Sequence, residues 1–132
     1  MNTLLVIDDN LLDNAVIRDY LFTERYNIIS ASNGLEALEF IEGRSIDLII
    51  LDIAMPVMDG FEFLKQFSLS GFYGKIPVII LTSLNDDEGY EKVFTYDIYD
   101  YISKPLSNMN KLVFINKIKN ALKSREYVKS ST

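Results

Sequence analysis

Leu48-Ile49-Ile50-Leu51-Asp52 is a run of four branched apolar residues that stops on an acid, and the same pattern recurs along the chain. Leu4-Leu5-Val6-Ile7 stops on Asp8-Asp9, Val78-Ile79-Ile80-Leu81 on Thr82, and Tyr101-Ile102 on Ser103-Lys104. Uninterrupted apolar runs of this length are the signature of parallel strands covered by helices on both faces. An open sheet of that kind places its ligand crevice outside the carboxyl ends of the strands. Three carboxylates, a hydroxyl and an ammonium thereby converge on one place.

The segments between these runs have helical spacing. Val16, Ile17, Tyr20 and Leu21 mark a first helix, followed by a strand over Asn27–Ala31. Asn33 and Glu36 form a capping-box pattern that opens a second helix bearing Leu35, Leu38 and Ile41, with Gly43 at its end. Met55-Pro56-Val57-Met58-Asp59-Gly60 is a loop leading to a helix with Phe61, Leu64 and Phe67, and Gly71 and Gly74 mark the turn toward the fourth strand. Asp86, Asp87 and Glu88 supply the anionic start that a fourth helix dipole favours, and this helix ends near Thr95–Tyr96. Leu112, Ile115, Ile118 and Leu122 form the stripe of a fifth helix, and residues 125–132 read as a frayed tail. Five βα units in succession predict an α/β, doubly wound, five-stranded parallel sheet with helices on both faces, occupying residues 1–124.

The chain has 132 residues, 48% of them hydrophobic, enough for one domain with a sizeable core and no need of disulfides, which the absence of cysteine rules out. Thirteen basic against nineteen acidic residues leave a formal charge of −6, which disfavours direct contact with nucleic acid or an anionic membrane. The longest apolar runs are too short for a signal peptide or a membrane span, so a cytoplasmic location is expected. With neither His nor Cys present, a metal would have to be held by oxygen.

Taken singly, each polar strand end has an ordinary explanation. Asp8, Asp9 or Asn10 could cap the first helix, Asp52 could be a solvated loop acid, Thr82 a loop-capping hydroxyl and Lys104 a surface charge. Asp59-Gly60 reads as a turn and helix start and is left out of the site. The conjunction argues otherwise. Asp8-Asp9, Asp52-Ile53-Ala54-Met55-Pro56 with Asp59-Gly60, Thr82-Ser83 and Lys104-Pro105 together resemble the receiver domain of bacterial response regulators over nearly the whole chain.

The resemblance implies a flavodoxin-like fold with strand order 2-1-3-4-5 and a two-component signalling role. It implies that Asp52 accepts a phosphoryl group from the phosphohistidine of a sensor kinase or phosphotransfer protein. Asp9, Asp52 and the backbone carbonyl of Ala54 would hold Mg²⁺ or Mn²⁺, with Asp8 assisting through water. Lys104 and Thr82 would contact the phosphoryl oxygens, and Tyr101 would be the aromatic switch of a helix 4–strand 5–helix 5 surface that binds a protein partner or a second copy. It also implies a cis Lys104-Pro105 bond. The chemistry is coherent, since two carboxylates about 4 Å apart repel by roughly 4 kcal/mol at an effective dielectric near 20, a tension that a cation relieves. Such a domain catalyses its own phosphorylation and dephosphorylation and is not a turnover enzyme.

Three alternatives stand beside this. A phosphorelay intermediate would pass its phosphoryl group to a further histidine, an interaction scaffold would never see phosphate, and an aspartyl-phosphate hydrolase of the haloacid dehalogenase type is opposed by the lack of a second aspartate in Asp52-Ile53-Ala54. Two departures from the family pattern also stand out. Asp97-Ile98 occupies the place of a small Gly-Ala pair, and the segment after Pro105 is about a residue longer than usual.

Overall fold

The computed structural model describes residues 1–131, with side chains described to residue 125. Five parallel strands, β1 (Thr3–Ile7), β2 (Asn27–Ala31), β3 (Leu48–Leu51), β4 (Val78–Thr82) and β5 (Asp100–Ser103), form one sheet in the order 2-1-3-4-5. The register pairs Ile7 with both Ala31 and Leu51, Leu51 with Ile80, and Thr82 with Ser103. The carboxyl ends of all five strands therefore finish along one edge. Every residue of β3 and β4 is buried, whereas the edge strands β2 and β5 are partly exposed.

Alternation along the strands assigns the helices to faces. Leu5, Ile7, Ile49, Leu51, Val78 and Ile80 point to one side, against Ala37 and Ile41 of α2 (Gly34–Gly43), Phe63, Leu64 and Phe67 of α3 (Gly60–Ser68) and Val93 of α4 (Asp87–Phe94). Leu4, Val6, Leu48, Ile50, Ile79 and Leu81 point to the other, against Ile17 of α1 (Leu11–Tyr20) and Phe114, Ile118 and Ala121 of α5 (Lys111–Ser131). Each fully buried side chain of this size contributes about 1.5–3 kcal/mol relative to exposure, so both faces are needed to hold the sheet.

The helices start where their caps dictate. Asn10, Asn33, Asp59 and Asp86 each accept a hydrogen bond from the backbone N–H three residues on, an arrangement worth about 1 kcal/mol per helix. At α2 the return arm of the box differs from expectation, because the Glu36 carboxylate accepts from Ser32 N–H at 3.2 Å.

Three expectations need correction. Leu35 and Leu112, assigned to buried stripes, are 50% and 74% exposed, and the inner faces of α2 and α5 run instead through Ala37 and Ile41 and through Phe114, Ile115, Ile118, Ala121 and Leu122. A shift of one or two positions turns an α-helical side chain by about 100° or 200°, which is enough to move it off the core face. The frayed tail expected from Arg125 is also displaced, since α5 continues through Ser131 and Arg125 pairs with Asp47 at 2.9 Å. Asp47 in turn accepts from Thr3 N–H at 2.7 Å, tying the start of β1 to α5. Thr132 lies outside the described residues.

Candidate functional site

At the carboxyl edge of the sheet β1 delivers Asp8 and Asp9, β3 delivers Asp52, β4 delivers Thr82 and β5 leads to Lys104. One carboxylate oxygen from each of Asp8, Asp9 and Asp52 lies within 4.8 Å of the other two. Asp8 and Asp52 are buried at 4% and 6% exposure, while Asp9 faces outward. Helix capping does not consume them, because Asn10 takes that role with its side-chain oxygen 3.0 Å from Asp13 N–H. Asp59 likewise caps α3, accepting from Glu62 N–H, and stays out of the cluster.

The Lys104 ammonium sits among acids. It lies 2.8 Å from Asp8 and 3.1 Å from Asp52, and the Lys104-Pro105 bond preceding the short helical turn Leu106–Asn108 is cis. Burial alone would lower its pKa, but hydrogen bonds to Asp13 and Asp8 and the charge of Asp52 hold it well above the ordinary lysine value. Burial pushes the Asp8 carboxyl up, with the Asp52 charge adding to this and Lys104 and Asn10 N–H opposing it. The site thus has a permanent cation facing partly desolvated acids.

Thr82 is fully buried, and its hydroxyl accepts from Leu84 N–H at 3.4 Å. The carbonyl of the same residue, Leu84, accepts from the Tyr101 hydroxyl. Leu84 therefore links the strand-end hydroxyl to the aromatic ring on β5. Tyr101 packs edge-on against Tyr90 at 5.0 Å and at a tilt against Phe94 at 6.0 Å, both on α4. Its phenol pKa is pushed up to about 12, first by burial and then by the charges of Tyr90, Asp86 and Asp52.

The donor set suits a hard divalent cation. Three carboxylates clustered within 4.8 Å, one of them open to solvent, match the preference of Mg²⁺ for oxygen ligands with several retained waters. The Ala54 N–H donates to Asp52 at 3.2 Å, so the Ala54 peptide lies beside the central acid.

A family model described as the response regulator receiver domain matches residues 4–117. The chain belongs to the response regulator receiver family. Receivers are the phosphorylation-controlled signalling domains of two-component systems, and response regulators partner with histidine kinases. This receiver is 33% identical over 98% of its length to a probable transcriptional regulator, ycf29, of Pyropia yezoensis, covering 59% of that protein. It is 37% identical over 95% of its length to response regulator RR06 of Streptococcus pneumoniae, covering 54% of it. The chain spans about half the length of the curated relatives it matches. Among solved structures, a CheY-like receiver domain protein from Methanospirillum hungatei superposes with a TM-score of 0.84 at 25% identity, covering 96% of this chain and 98% of that one. Among the described residues no helix is long and apolar enough to cross a membrane.

One residue of the receiver site was not legible in the sequence. Asp13, in the first turn of α1, lies 2.5 Å from the Lys104 ammonium. Its sequence signal is faint: it stands five residues after Asp8, within one turn of a capped helix start. The departure at Asp97-Ile98 is absorbed locally. Asp97 N–H donates to the Tyr73 hydroxyl, and Ile98 packs against the core.

Proposed function

We propose that Asp52 is the phosphoacceptor of this receiver and that Asp8, Asp9, Asp52 and the Ala54 carbonyl hold Mg²⁺ or Mn²⁺ while it reacts. The observation that carries this is the buried Asp52 carboxylate within reach of both a second buried acid and the Lys104 ammonium. A carboxylate oxygen of Asp52 attacks the phosphorus of a kinase phosphohistidine, the new O–P bond forms as the N–P bond breaks, and the electron pair leaves on the imidazole nitrogen. Bound at the acids, the divalent cation supplies positive charge to the transferring oxygens. Lys104 supplies a second positive charge, and the charge-assisted contacts replace those it makes to Asp8 and Asp52. The cytoplasm, where kinase and receiver meet, is the location proposed.

Modification also gives the Thr82 hydroxyl a stronger acceptor than its present role allows. As Thr82 turns to donate to a phosphoryl oxygen, Leu84 N–H loses its acceptor, and the Leu84 carbonyl on the same residue loosens its hold on Tyr101. Tyr101 then repacks against Tyr90 and Phe94, altering the surface of α4, β5 and α5 that a protein partner or a second copy reads. Intact mass after incubation with Mg²⁺ and a small phosphodonor tests the proposal. One added phosphoryl group supports it, and none overturns it.

Asp9 is the most exposed of the three acids and has the least competition from Lys104, so it dominates cation affinity. Calorimetric titration of Asp9→Ala with Mg²⁺ is expected to show affinity weaker by about tenfold or more, from the loss of one charge in contact with the ion. Unchanged affinity would move the cation elsewhere.

The phosphoryl group is expected to be long-lived. Ala54 and Leu84 border a hollow of about 480 Å³ beside the strand ends, together with Ile53, Met55, Pro56, Asp59 and Phe61. The Asp59 carboxylate is held by Glu62 N–H in capping α3, and the apolar side chains cannot orient a water for in-line attack. Timed loss of phosphate should accelerate roughly tenfold in the Ala54→Asn, Leu84→Glu double variant, and measurably in Ala54→Asn alone, through a positioned water. A parent protein that loses phosphate as fast as both variants would refute control by these two side chains.

A further inference from the structure

Of the acids around Lys104, the nearest is not one of the three that cluster. Asp13 Oδ2 lies 2.5 Å from the ammonium, against 2.8 Å for Asp8 and 3.1 Å for Asp52. The Asp13 side chain is 26% exposed and that of Lys104 13%, so the contact sits at the rim of the site with the ammonium on its inner side. It is held there by the fold, because Asn10 caps α1 through Asp13 N–H, and Asn14 donates to the Asp8 and Asn10 carbonyls, locking the first turn against the end of β1.

Formal charges show what this contact can do. Asp8, Asp9, Asp13 and Asp52 against Lys104 leave the site at −3 before any cation enters. Without the Asp13 charge the site stands at −2, and the ammonium is committed to Asp8 and Asp52, two of the three acids in the cluster. A divalent cation approaching those acids must push the ammonium aside. A half-buried ammonium with no partner is strongly disfavoured, so displacement is easy only where another carboxylate already holds it.

We propose that Asp13 is a positioning residue that draws the Lys104 ammonium toward α1, freeing Asp8 and Asp52 for a divalent cation and so setting the cation affinity of the site. This rests on the reading of Asp8, Asp9 and Asp52 as the cation site. Cation entry is then an exchange of partners within the site: Lys104 relaxes onto Asp13 as the ion takes the inner carboxylates. Asp13 touches neither the ion nor the reacting atoms.

Titration with Mn²⁺, counting the free ion by its electron paramagnetic resonance signal, tests this on five proteins: the parent, Asp13→Asn, Asp13→Glu, Lys104→Met and the Asp13→Asn, Lys104→Met double variant. Asp13→Asn is expected to weaken Mn²⁺ binding roughly tenfold, from its own lost charge plus the ammonium it no longer holds. Asp13→Glu keeps the charge and should stay within about threefold of the parent. With Lys104 replaced by Met there is no ammonium to draw away, and the further loss from Asp13→Asn should shrink to about threefold or less, the direct charge effect alone. The same loss in both backgrounds would show that Asp13 acts by its own charge and would overturn the positioning role, as would an unchanged affinity in Asp13→Asn. A parent protein that binds no Mn²⁺ would instead overturn the cation site itself.

Discussion

Asp52→Asn is expected to remain unmodified under conditions in which the parent protein gains one phosphoryl group, with any residual labelling slower by at least about two orders of magnitude. The carboxamide is neutral and a poor nucleophile, so the attacking oxygen is lost. Folding should survive the change, because an amide oxygen can still accept the Ala54 N–H that Asp52 accepts at 3.2 Å, and Lys104 keeps Asp8 and Asp13. Intact mass gives the stoichiometry, and peptide mapping gives the residue. Full modification of the variant at Asp8 or Asp9 would mean that the central strand end does not carry the acceptor.

The second large effect is structural and centres on Gly60, at the start of α3. A Cβ built there would stand 2.5 Å from the Ile53 Cα and 2.8 Å from the Asp52 carbonyl oxygen, both backbone atoms. The Gly60 N–H donates to the Ile53 carbonyl at 2.8 Å, so the helix start is pinned against the residues that carry the acceptor. Gly60→Ala is expected to cost about 2–3 kcal/mol by overpacking, despite the better helix propensity of alanine. In a chain of this length that lowers the melting temperature by roughly 6–12 °C. Because the strain falls on Asp52 and Ile53, Mg²⁺ affinity should fall with it. Gly43→Ala is the control, since a Cβ at that position would meet nothing within 4 Å. Its stability should change by less than about 0.5 kcal/mol. Equal behaviour of the two variants would show that the close approach at Gly60 is not a constraint.

The strands were legible because a parallel sheet covered on both faces writes itself as continuous apolar runs, and β1, β3 and β4 are buried at nearly every residue. The strand ends were legible for a related reason: each run stops abruptly on the polar residue it delivers. Helix faces were harder. In α2 and α5 apolar residues occur on both sides, and Leu35 and Leu112 could be told from Ala37 and Phe114 only by where the sheet lies. Asp13 illustrates the deeper limit, since its meaning depends on Lys104, 91 residues away in sequence. Arg125 is the same case at the other end of the sheet, where its partner Asp47 sits in the turn before β3.

The strand order has a consequence for how the chain reaches this state. Of the five strands of this sheet β1 emerges first, and it ends up between β2 and β3, the next two of the five. After that single reversal every later strand joins the same growing edge, β4 on β3 and β5 on β4. Parallel pairing requires a crossover before each contact and is slow for that reason. Here β2, β4 and β5 each pair with the strand made just before them, whereas β1 gains its second neighbour only when β3 emerges. The acids that follow β1 and β3 precede Lys104 along the chain, and the lysine that balances their charge follows β5, the fifth strand of the sheet.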